Sequence, residues 1–317
     1  MTQHPAIGGL PLSLGGNVFG WTANRDDGFA VLDKWHEAGG RMVDTADVYS
    51  AWVDGHEGGE SERFIGEWME DRGVRDDMLI ATKTGMLGES EHYRADAVSD
   101  ALDRCLERLR TDRVELFYCH KDNEDLPIET IAESFAAVTD DGRAKSIGAS
   151  NFTVSRLRAA LDHAEAKGIT GFTALQNQFN LVERDDYGQD MQRLCLERGI
   201  AMFPYFSLAA GYLTGKYRDK DDFGGSRRSD MAEKYKEDGP TVLAQMDRVA
   251  QETGAELPAI ALAWLAAQPG IAAPLASARN LDQMEGLLAY TELELSRDQI
   301  DRLTRAGLLR RIHLPFD

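Results

Sequence analysis

Strand-like and helix-like segments alternate along the whole chain of 317 residues. Apolar runs typical of buried strands lie near residues 14–20, 41–44, 78–82, 114–119, 144–149, 173–177, 200–204 and 271–275. Amphipathic stretches with apolar residues at helical spacing lie between them, for example at 96–109, 128–139 and 154–166. Eight strands that alternate with helices, without a Gly/Pro/Ser-rich linker, predict one α/β domain over residues 1–317, a (β/α)8 TIM barrel.

Three of the predicted strands end in a titratable residue. Asp44 ends the second strand, Lys83 follows the third and His120 follows the fourth, while Tyr49 lies five residues beyond Asp44. In a parallel barrel the C-terminal ends of the strands converge on one rim, which carries the active site. The sequence therefore predicts an enzyme with a proton-donating site.

Two connections are longer than turns, Ser50–Glu60 and Phe206–Asp238. Long connections in compact domains are more often functional than not. We expect both to be rim loops that cover a ligand.

The net charge of −19 indicates what kind of partner the chain binds. Such a charge repels nucleic acid and anionic membranes, so a phosphate-bearing ligand needs a local cationic pocket. No apolar run approaches the ~18 residues of a membrane span, and no secretion signal is visible. Three widely spaced cysteines form no disulfide framework or metal motif, which predicts a reducing, cytoplasmic compartment and no metal site.

Several ordered motifs resemble those of the aldo-keto reductases and cover essentially the whole chain. The segment 44–49, DTADVY, resembles the family's DTAxxY signature. Further matches are GGESE at 58–62, ATK at 81–83, LFYCH at 116–120, GRAKSIGASNF at 142–152, QNQFN at 176–180, and PYFSL with LTGKY between 204 and 217. The one residue here that departs from the commoner pattern is Phe179, where Tyr is usual.

The resemblance implies a catalytic tetrad of Asp44, Tyr49, Lys83 and His120. Reduction of a carbonyl needs a hydride on carbon and a proton on oxygen, and Tyr49 is the candidate proton donor. Because an ordinary tyrosine has a pKa of about 10, we expect the Lys83 ammonium to lower the pKa of Tyr49. Asp44 would hold Lys83 in place, and His120 would orient the substrate oxygen.

No GxGxxG motif follows a strand, so a Rossmann site is not supported. The resemblance instead implies nicotinamide dinucleotide bound across the rim, its carboxamide held by Ser150, Asn151 and Gln176. Tyr205 would stack against the nicotinamide ring. The residues implied along the pyrophosphate are Phe206, Ser207, Leu208, Gly211 and Lys216.

The adenosine end of the cofactor is predicted where a helix begins after the eighth strand, at Ala278, Arg279 and Gln283. Helix N-termini bind phosphate readily, and Arg279 suits a 2′-phosphate, which favours NADPH over NADH. The alternative is that Arg279 is an ordinary solvated residue. Further along this helix the family often has Asn, whereas this chain has Leu287 and Leu288.

Trp21 and Trp52 are the candidate walls of the substrate pocket, although each could equally be a packing residue. Such walls suit a small aldehyde or ketone with a flat or hydrophobic body, while sugar-like and steroid-like carbonyls stay open. Two other functions were considered, a cofactor-sensing subunit that resembles the potassium-channel β subunits and an isomerase that uses Lys83 or His120. The isomerase leaves Tyr49 without a role, and nothing in the sequence marks an oligomeric interface.

Overall fold

The computed structural model describes residues 4–88 and 93–309. Within these ranges it contains eight strands in one sheet, and every pair of neighbouring strands is parallel. Their bounds are β1 (Ser13–Gly15), β2 (Met42–Asp44), β3 (Leu79–Thr84), β4 (Leu116–Cys119), β5 (Ile147–Ser150), β6 (Ala174–Gln176), β7 (Ala201–Met202) and β8 (Leu275–Ala276).

The sheet order is β7-β6-β5-β4-β3-β2-β1-β8, so neighbours in sequence are neighbours in space except where β8 pairs with β1. A parallel bridge between Met202 and Ile271 joins β7 to the segment that leads into β8. The amide of Leu275 also donates to the carbonyl of Pro204 (3.1 Å). The two ends of the sheet are thus linked, as a (β/α)8 fold requires.

The strands are shorter than the sequence predicts. The first was expected over 14–20, but the chain turns after Gly15, and the amide of Phe19 donates to the carbonyl of Gly16 (3.0 Å). Gly20 then adopts a left-handed φ of 72°, which ends any extended course. Before the last strand, only Ile271 keeps strand pairing within the expected range 271–274.

Helices cover the outside of the strands and follow them along the chain. Their bounds are α1 (Arg25–Glu37), α2 (Glu60–Arg72), α3 (Ala95–Leu109), α4 (Ile128–Ala137), α5 (Val154–Lys167), α6 (Gln189–Arg198), α7 (Arg227–Glu233), α8 (Gly239–Thr253), α9 (Leu257–Ala266), α10 (Leu281–Leu288) and α11 (Arg297–Leu309). Helix α7 lies inside the segment predicted as a long rim loop, and the hydroxyl of Ser226 caps it by accepting from the amide of Ser229. Among the described residues, no helix is long and apolar enough to cross a membrane.

Alternate residues of the strands face two different hydrophobic layers. One layer lies between strands and helices, where Val43, Ile80 and Phe117 pack. The other, smaller layer fills the interior of the barrel with Ala6, Met42, Ala81, Leu116, Tyr118, Ala174, Phe203 and Ala273. Because side chains alternate with a period of two, the residue two beyond an interior residue also faces inward.

Helices α2 and α3 approach each other closely at Gly66, where an added Cβ would lie 2.5 Å from the carbonyl oxygen of Arg108. The contact is with backbone, which cannot rotate away. We therefore expect Gly66→Ala to lower the free energy of unfolding by about 1–3 kcal/mol. Thermal and urea unfolding followed by circular dichroism measures this.

Gly286→Ala in α10 is the matched control, because a Cβ there meets nothing within 4 Å. Alanine is the better helix former, so this variant should gain about 0.5–1 kcal/mol. Equal effects of the two substitutions would contradict the close approach of α2 and α3.

Candidate active site

The period of the strands places three titratable side chains in the barrel interior. Asp44 is two residues beyond Met42, Lys83 two beyond Ala81, and His120 two beyond Tyr118. All three are buried at the C-terminal end of the interior. The structure thus brings together the residues that the strand ends predicted.

Tyr49 reaches this group because the chain after β2 continues along β3. The amide of Thr45 donates to the carbonyl of Ala81 (2.8 Å), and the amide of Asp47 donates to that of Lys83 (3.1 Å). A turn follows, in which the amide of Tyr49 donates to the carbonyl of Ala46 (3.2 Å). This turn sets the tyrosine over the end of β3.

The Lys83 ammonium is the centre of the group and is fully buried. It donates hydrogen bonds to Asp44 Oδ2 (2.5 Å), the carbonyl of Thr45 (2.7 Å) and the hydroxyl of Tyr49 (3.1 Å). Three acceptors match the three protons of an ammonium ion. The Tyr49 hydroxyl in turn donates a long hydrogen bond to Asp44 Oδ2 (3.4 Å).

The expectation that Lys83 lowers the pKa of Tyr49 was wrong. Burial and the negative charge of Asp44 raise the pKa of Tyr49 above its ordinary value, because both disfavour a phenolate. Burial also lowers the pKa of Lys83, although Asp44 opposes this effect. With no substrate oxygen to accept it, the proton therefore stays on the tyrosine at neutral pH.

His120 lies beside Tyr49, with 6.1 Å between the ring centroids. Burial, followed by the positive charge of Lys83, lowers the pKa of His120 well below its ordinary value. Its Nδ1 is buried and has no hydrogen-bond partner among the described residues. A neutral imidazole at this point can donate one ring N–H to a substrate oxygen.

The residues predicted to hold the nicotinamide carboxamide form a network that joins the tetrad. Gln176 Nε2 donates to Asp44 Oδ1 (2.8 Å), and the Ser150 hydroxyl donates to the carbonyl of Gln176 (2.7 Å). Asn151, exposed and with a left-handed φ of 58°, donates to the carbonyl of His120 (2.9 Å). The sequence gave no sign that Gln176 anchors the second oxygen of Asp44.

Tyr205 lies on the opposite side of this network and donates its hydroxyl proton to Asn151 Oδ1 (2.8 Å). Its neighbour Phe206 packs edge-on against it, with 5.2 Å between centroids, and has a left-handed φ of 52°. The hydroxyl of Ser207 turns inward, where it donates to the carbonyl of Pro204 and accepts from the amide of Leu275. Ser207 thus ties the ends of β7 and β8 together, which the sequence did not reveal.

The segment predicted to follow the pyrophosphate turns sharply after Leu208. The amide of Gly211 donates to the carbonyl of Leu208 (2.9 Å), and Gly211 has a φ of 90°. A Cβ on Gly211 would lie 3.1 Å from the Lys216 ammonium, so the lysine crosses directly over this glycine. Lys216 is exposed, and no carboxylate in the described ranges lies within 4 Å of it.

The predicted adenosine site surrounds the start of α10. Asn280 Oδ1 accepts from the amide of Gln283, and Gln283 Oε1 accepts from the amide of Arg279, both at 3.0 Å. Gln283 is therefore a reciprocal helix cap, which leaves its NH2 group for a ligand. Ala278 is buried beneath, and the half-buried Arg279 side chain has no carboxylate partner in residues 4–88 and 93–309.

Both predicted pocket tryptophans lie next to the tetrad. Trp52 packs edge-on against Tyr49 (6.1 Å between centroids) and against Trp21 (5.4 Å). The guanidinium carbon of Arg227 lies 4.9 Å from the centroid of the Trp52 ring. Sequence reasoning missed Arg227, because α7 and the loop that carries Trp52 are far apart in the chain.

A second buried group of charges below the tetrad was also missed. Glu62 accepts from Arg108 Nε and from the hydroxyl of Thr82, both at 2.5 Å. Asp47 Oδ2 accepts from the hydroxyl of Thr84 (2.6 Å), whereas its Oδ1 is buried without a partner among the described residues. Burial, with Glu62 nearby, raises the pKa of Asp47 to about 7.

The model of the Aldo/keto reductase family matches residues 11–307, and the chain belongs to this family. It is an oxidoreductase that acts on carbonyl or alcohol groups. The fold is that of a solved structure of a thermostable aldo-keto reductase, Tm1743, with a TM-score of 0.74, 23% identity and coverage of 94% of this chain and 95% of the other.

Two curated relatives illustrate the similarity in sequence. The norsolorinic acid reductase of Emericella nidulans is 28% identical over 92% of this chain and 76% of its own length. The aryl-alcohol dehydrogenase (NADP+) of Phanerodontia chrysosporium is 25% identical over 89% of this chain and 76% of its own.

The raised pKa of Asp47 predicts a pH dependence of stability. Because the folded state holds this proton up to about pH 7 and the unfolded chain releases it near 3.8, the carboxyl costs stability as the pH rises between these values. Asp47→Asn should therefore reduce the loss of unfolding free energy between about pH 5 and about pH 8 by roughly 2 kcal/mol. Urea unfolding at both pH values measures the difference.

The exposed Asp54, in the same connection, provides the control Asp54→Asn, which removes one carboxyl without removing a buried one. If both variants kept the pH dependence of the wild type, the Asp47 carboxyl would not be the group that titrates.

Proposed function

We propose that this chain reduces an aldehyde or ketone to an alcohol with NADPH, in a reversible reaction with Tyr49 as the proton donor. The observation that carries the proposal is the 3.1 Å contact between the Tyr49 hydroxyl and the buried Lys83 ammonium. A tyrosine hydrogen-bonded to a buried, carboxylate-anchored lysine is suited to transfer a proton to an oxygen that becomes negative.

Bound NADPH supplies the hydride; the side chains supply the proton and the charge stabilisation. Tyr49 keeps its proton until negative charge develops on the substrate oxygen, because its own pKa is raised. Lys83 then stabilises the phenolate that remains, and Asp44 fixes the lysine at 2.5 Å. Neutral His120 donates a hydrogen bond to the same substrate oxygen and orients it.

The cationic side chains of the rim support a dinucleotide with several phosphates. Lys216 over Gly211 and Arg279 at the start of α10 lack carboxylate partners among the described residues, although acidic residues outnumber basic ones by 54 to 35. Lys216 would meet the pyrophosphate and Arg279 the 2′-phosphate, with the NH2 group of Gln283 nearby. The printed name of the Phanerodontia relative agrees with NADP.

The carboxamide end fits the network around Asn151. Asn151 and Tyr205 hydrogen-bond to each other across the space that the nicotinamide ring needs. We propose that ring binding separates them, so that Tyr205 stacks on the ring while Ser150, Asn151 and Gln176 hold the carboxamide.

The substrate class follows from the aromatic side chains beside Tyr49. Trp52 and Trp21 form a wall that a flat ring can pack against. Two relatives are named for aryl alcohol and norsolorinic acid. We propose an aryl aldehyde or ketone as the substrate.

Tyr49→Phe removes the proton donor and leaves the aromatic ring in place. We expect kcat for reduction of benzaldehyde to fall about 10²–10⁴-fold, the usual contribution of general acid catalysis. Oxidation of NADPH followed at its absorbance band measures the rate, and fluorescence titration measures the Kd of NADPH.

Tyr290→Phe is the control, because the Tyr290 hydroxyl donates to the carbonyl of Pro11, away from the tetrad. Unchanged turnover in Tyr49→Phe would rule out Tyr49 as the donor. Tight NADPH binding by the wild type with negligible turnover of several carbonyls would instead favour a cofactor-sensing subunit.

Arg279→Gln tests the preference for NADPH. Loss of one ion pair with phosphate should raise the Kd of NADPH about tenfold and leave the Kd of NADH within about twofold, since NADH has no 2′-phosphate. Titration of wild type and variant with both cofactors gives the ratio. An equal rise for both would mean that Arg279 supports the helix start rather than the phosphate.

A further inference from the structure

Arg227 and Trp52 form a contact at the mouth of the site that the aldo-keto reductase motifs do not explain. The Arg227 guanidinium carbon lies 4.9 Å from the centroid of the Trp52 ring, and the Trp52 ring centroid lies 6.1 Å from that of Tyr49. These two steps place the guanidinium carbon no more than 11.0 Å from the centre of the Tyr49 ring. A positive charge is thus held close to the proposed proton donor.

Arg227 differs from most arginines of this acidic chain in having no carboxylate within 4 Å among the described residues. By contrast, Arg218 pairs with Asp247 at 2.8 Å, and Arg156 pairs with Asp122 at 2.7 Å. Arg227 is exposed, and its contact with Trp52 fixes its position without neutralising it. The Trp52 Nε1 is also buried without a hydrogen-bond acceptor in the described part of the chain.

We propose that Arg227 selects aryl carbonyl substrates that carry a carboxylate at the far end of the ring. This inference rests on the proposed function, because it names the substrate class of the same site. The aromatic body would pack against Trp52 and Trp21, while the carbonyl oxygen meets Tyr49 and His120. The carboxylate would then accept hydrogen bonds from the Arg227 guanidinium.

The separation of the two ends fits one benzene ring. A para-substituted benzaldehyde with a hydrogen bond of about 2.8 Å at each end spans a distance of the order that separates Tyr49 from Arg227. A guanidinium is the cation best suited to this task, because its planar array of N–H groups matches the two oxygens of a carboxylate.

The net charge of the protein makes a local cation necessary for such a substrate. A chain with a charge of −19 repels anions at long range, so a carboxylate enters only where a nearby positive charge outweighs that field. Asp44 is the carboxylate nearest to Tyr49, and its charge is offset by Lys83 at 2.5 Å. Arg227 is thus a cation near the aromatic wall that remains available.

The test compares 4-carboxybenzaldehyde with its neutral methyl ester, methyl 4-formylbenzoate, at saturating NADPH. The enzymes are the wild type, Arg227→Gln, which removes the charge, and Arg227→Lys, which keeps it. Arg104→Gln is the matched control, because Arg104 is exposed on α3, has no carboxylate within 4 Å in the described ranges, and lies away from the rim.

We expect the ratio of kcat/KM for the acid to that for the ester to fall about tenfold in Arg227→Gln, mainly through KM, as for the loss of one charge-assisted hydrogen bond. Arg227→Lys should keep most of the ratio, and Arg104→Gln all of it. Added salt should raise the KM of the acid in the wild type more than that of the ester.

Two results would overturn the inference and leave the proposed function intact. One is a wild type that reduces the ester as well as the acid, with a ratio that Arg227→Gln does not change. The other is an equal loss for both substrates in Arg227→Gln, which would make the arginine a support for Trp52 alone. Failure of the wild type to reduce either aldehyde with NADPH would overturn the inference and the proposed function together.

Discussion

The buried ion pair between Lys83 and Asp44 is the interaction on which the rest of the site depends. Both groups are almost completely withdrawn from water, so each is stable as an ion only because the other lies 2.5 Å away. Loss of one partner from such a pair typically costs about 3–5 kcal/mol. The remaining hydrogen bonds, from Gln176 to Asp44 and from Lys83 to Tyr49, complete the solvation that water no longer provides.

The alternation of strands and helices was enough to predict the fold, and the strand ends were enough to predict the tetrad. Both follow from local rules, namely the period of two in strands and the position of a residue at a strand terminus. The lengths of the strands were less predictable, because hydrogen bonds of turns compete with the ladder at Gly16 and Gly20. An apolar run identifies burial, which both a strand and the turn after it can have.

Interactions between distant segments were beyond the reach of sequence reasoning. The contact of Arg227 with Trp52 joins positions 175 residues apart, and neither residue type indicates a partner. The pKa of Tyr49 was predicted with the wrong sign because the ammonium was considered without the burial and the carboxylate that accompany it. The same holds for Gln176, Ser207 and Gln283, whose motif positions indicated a ligand while their side chains also hydrogen-bond within the protein.

The period of two in the strands also restricts how the chain can vary in length. Asp44, Lys83 and His120 face inward only because each is an even number of residues beyond an interior side chain of its strand. Insertion or deletion of one residue within β2, β3 or β4 would turn the terminal side chain outward, toward the helices. Changes of any length in the connections leave this parity untouched. Rim loops such as the one that carries Arg227 can therefore diverge freely between relatives while the reaction chemistry stays fixed.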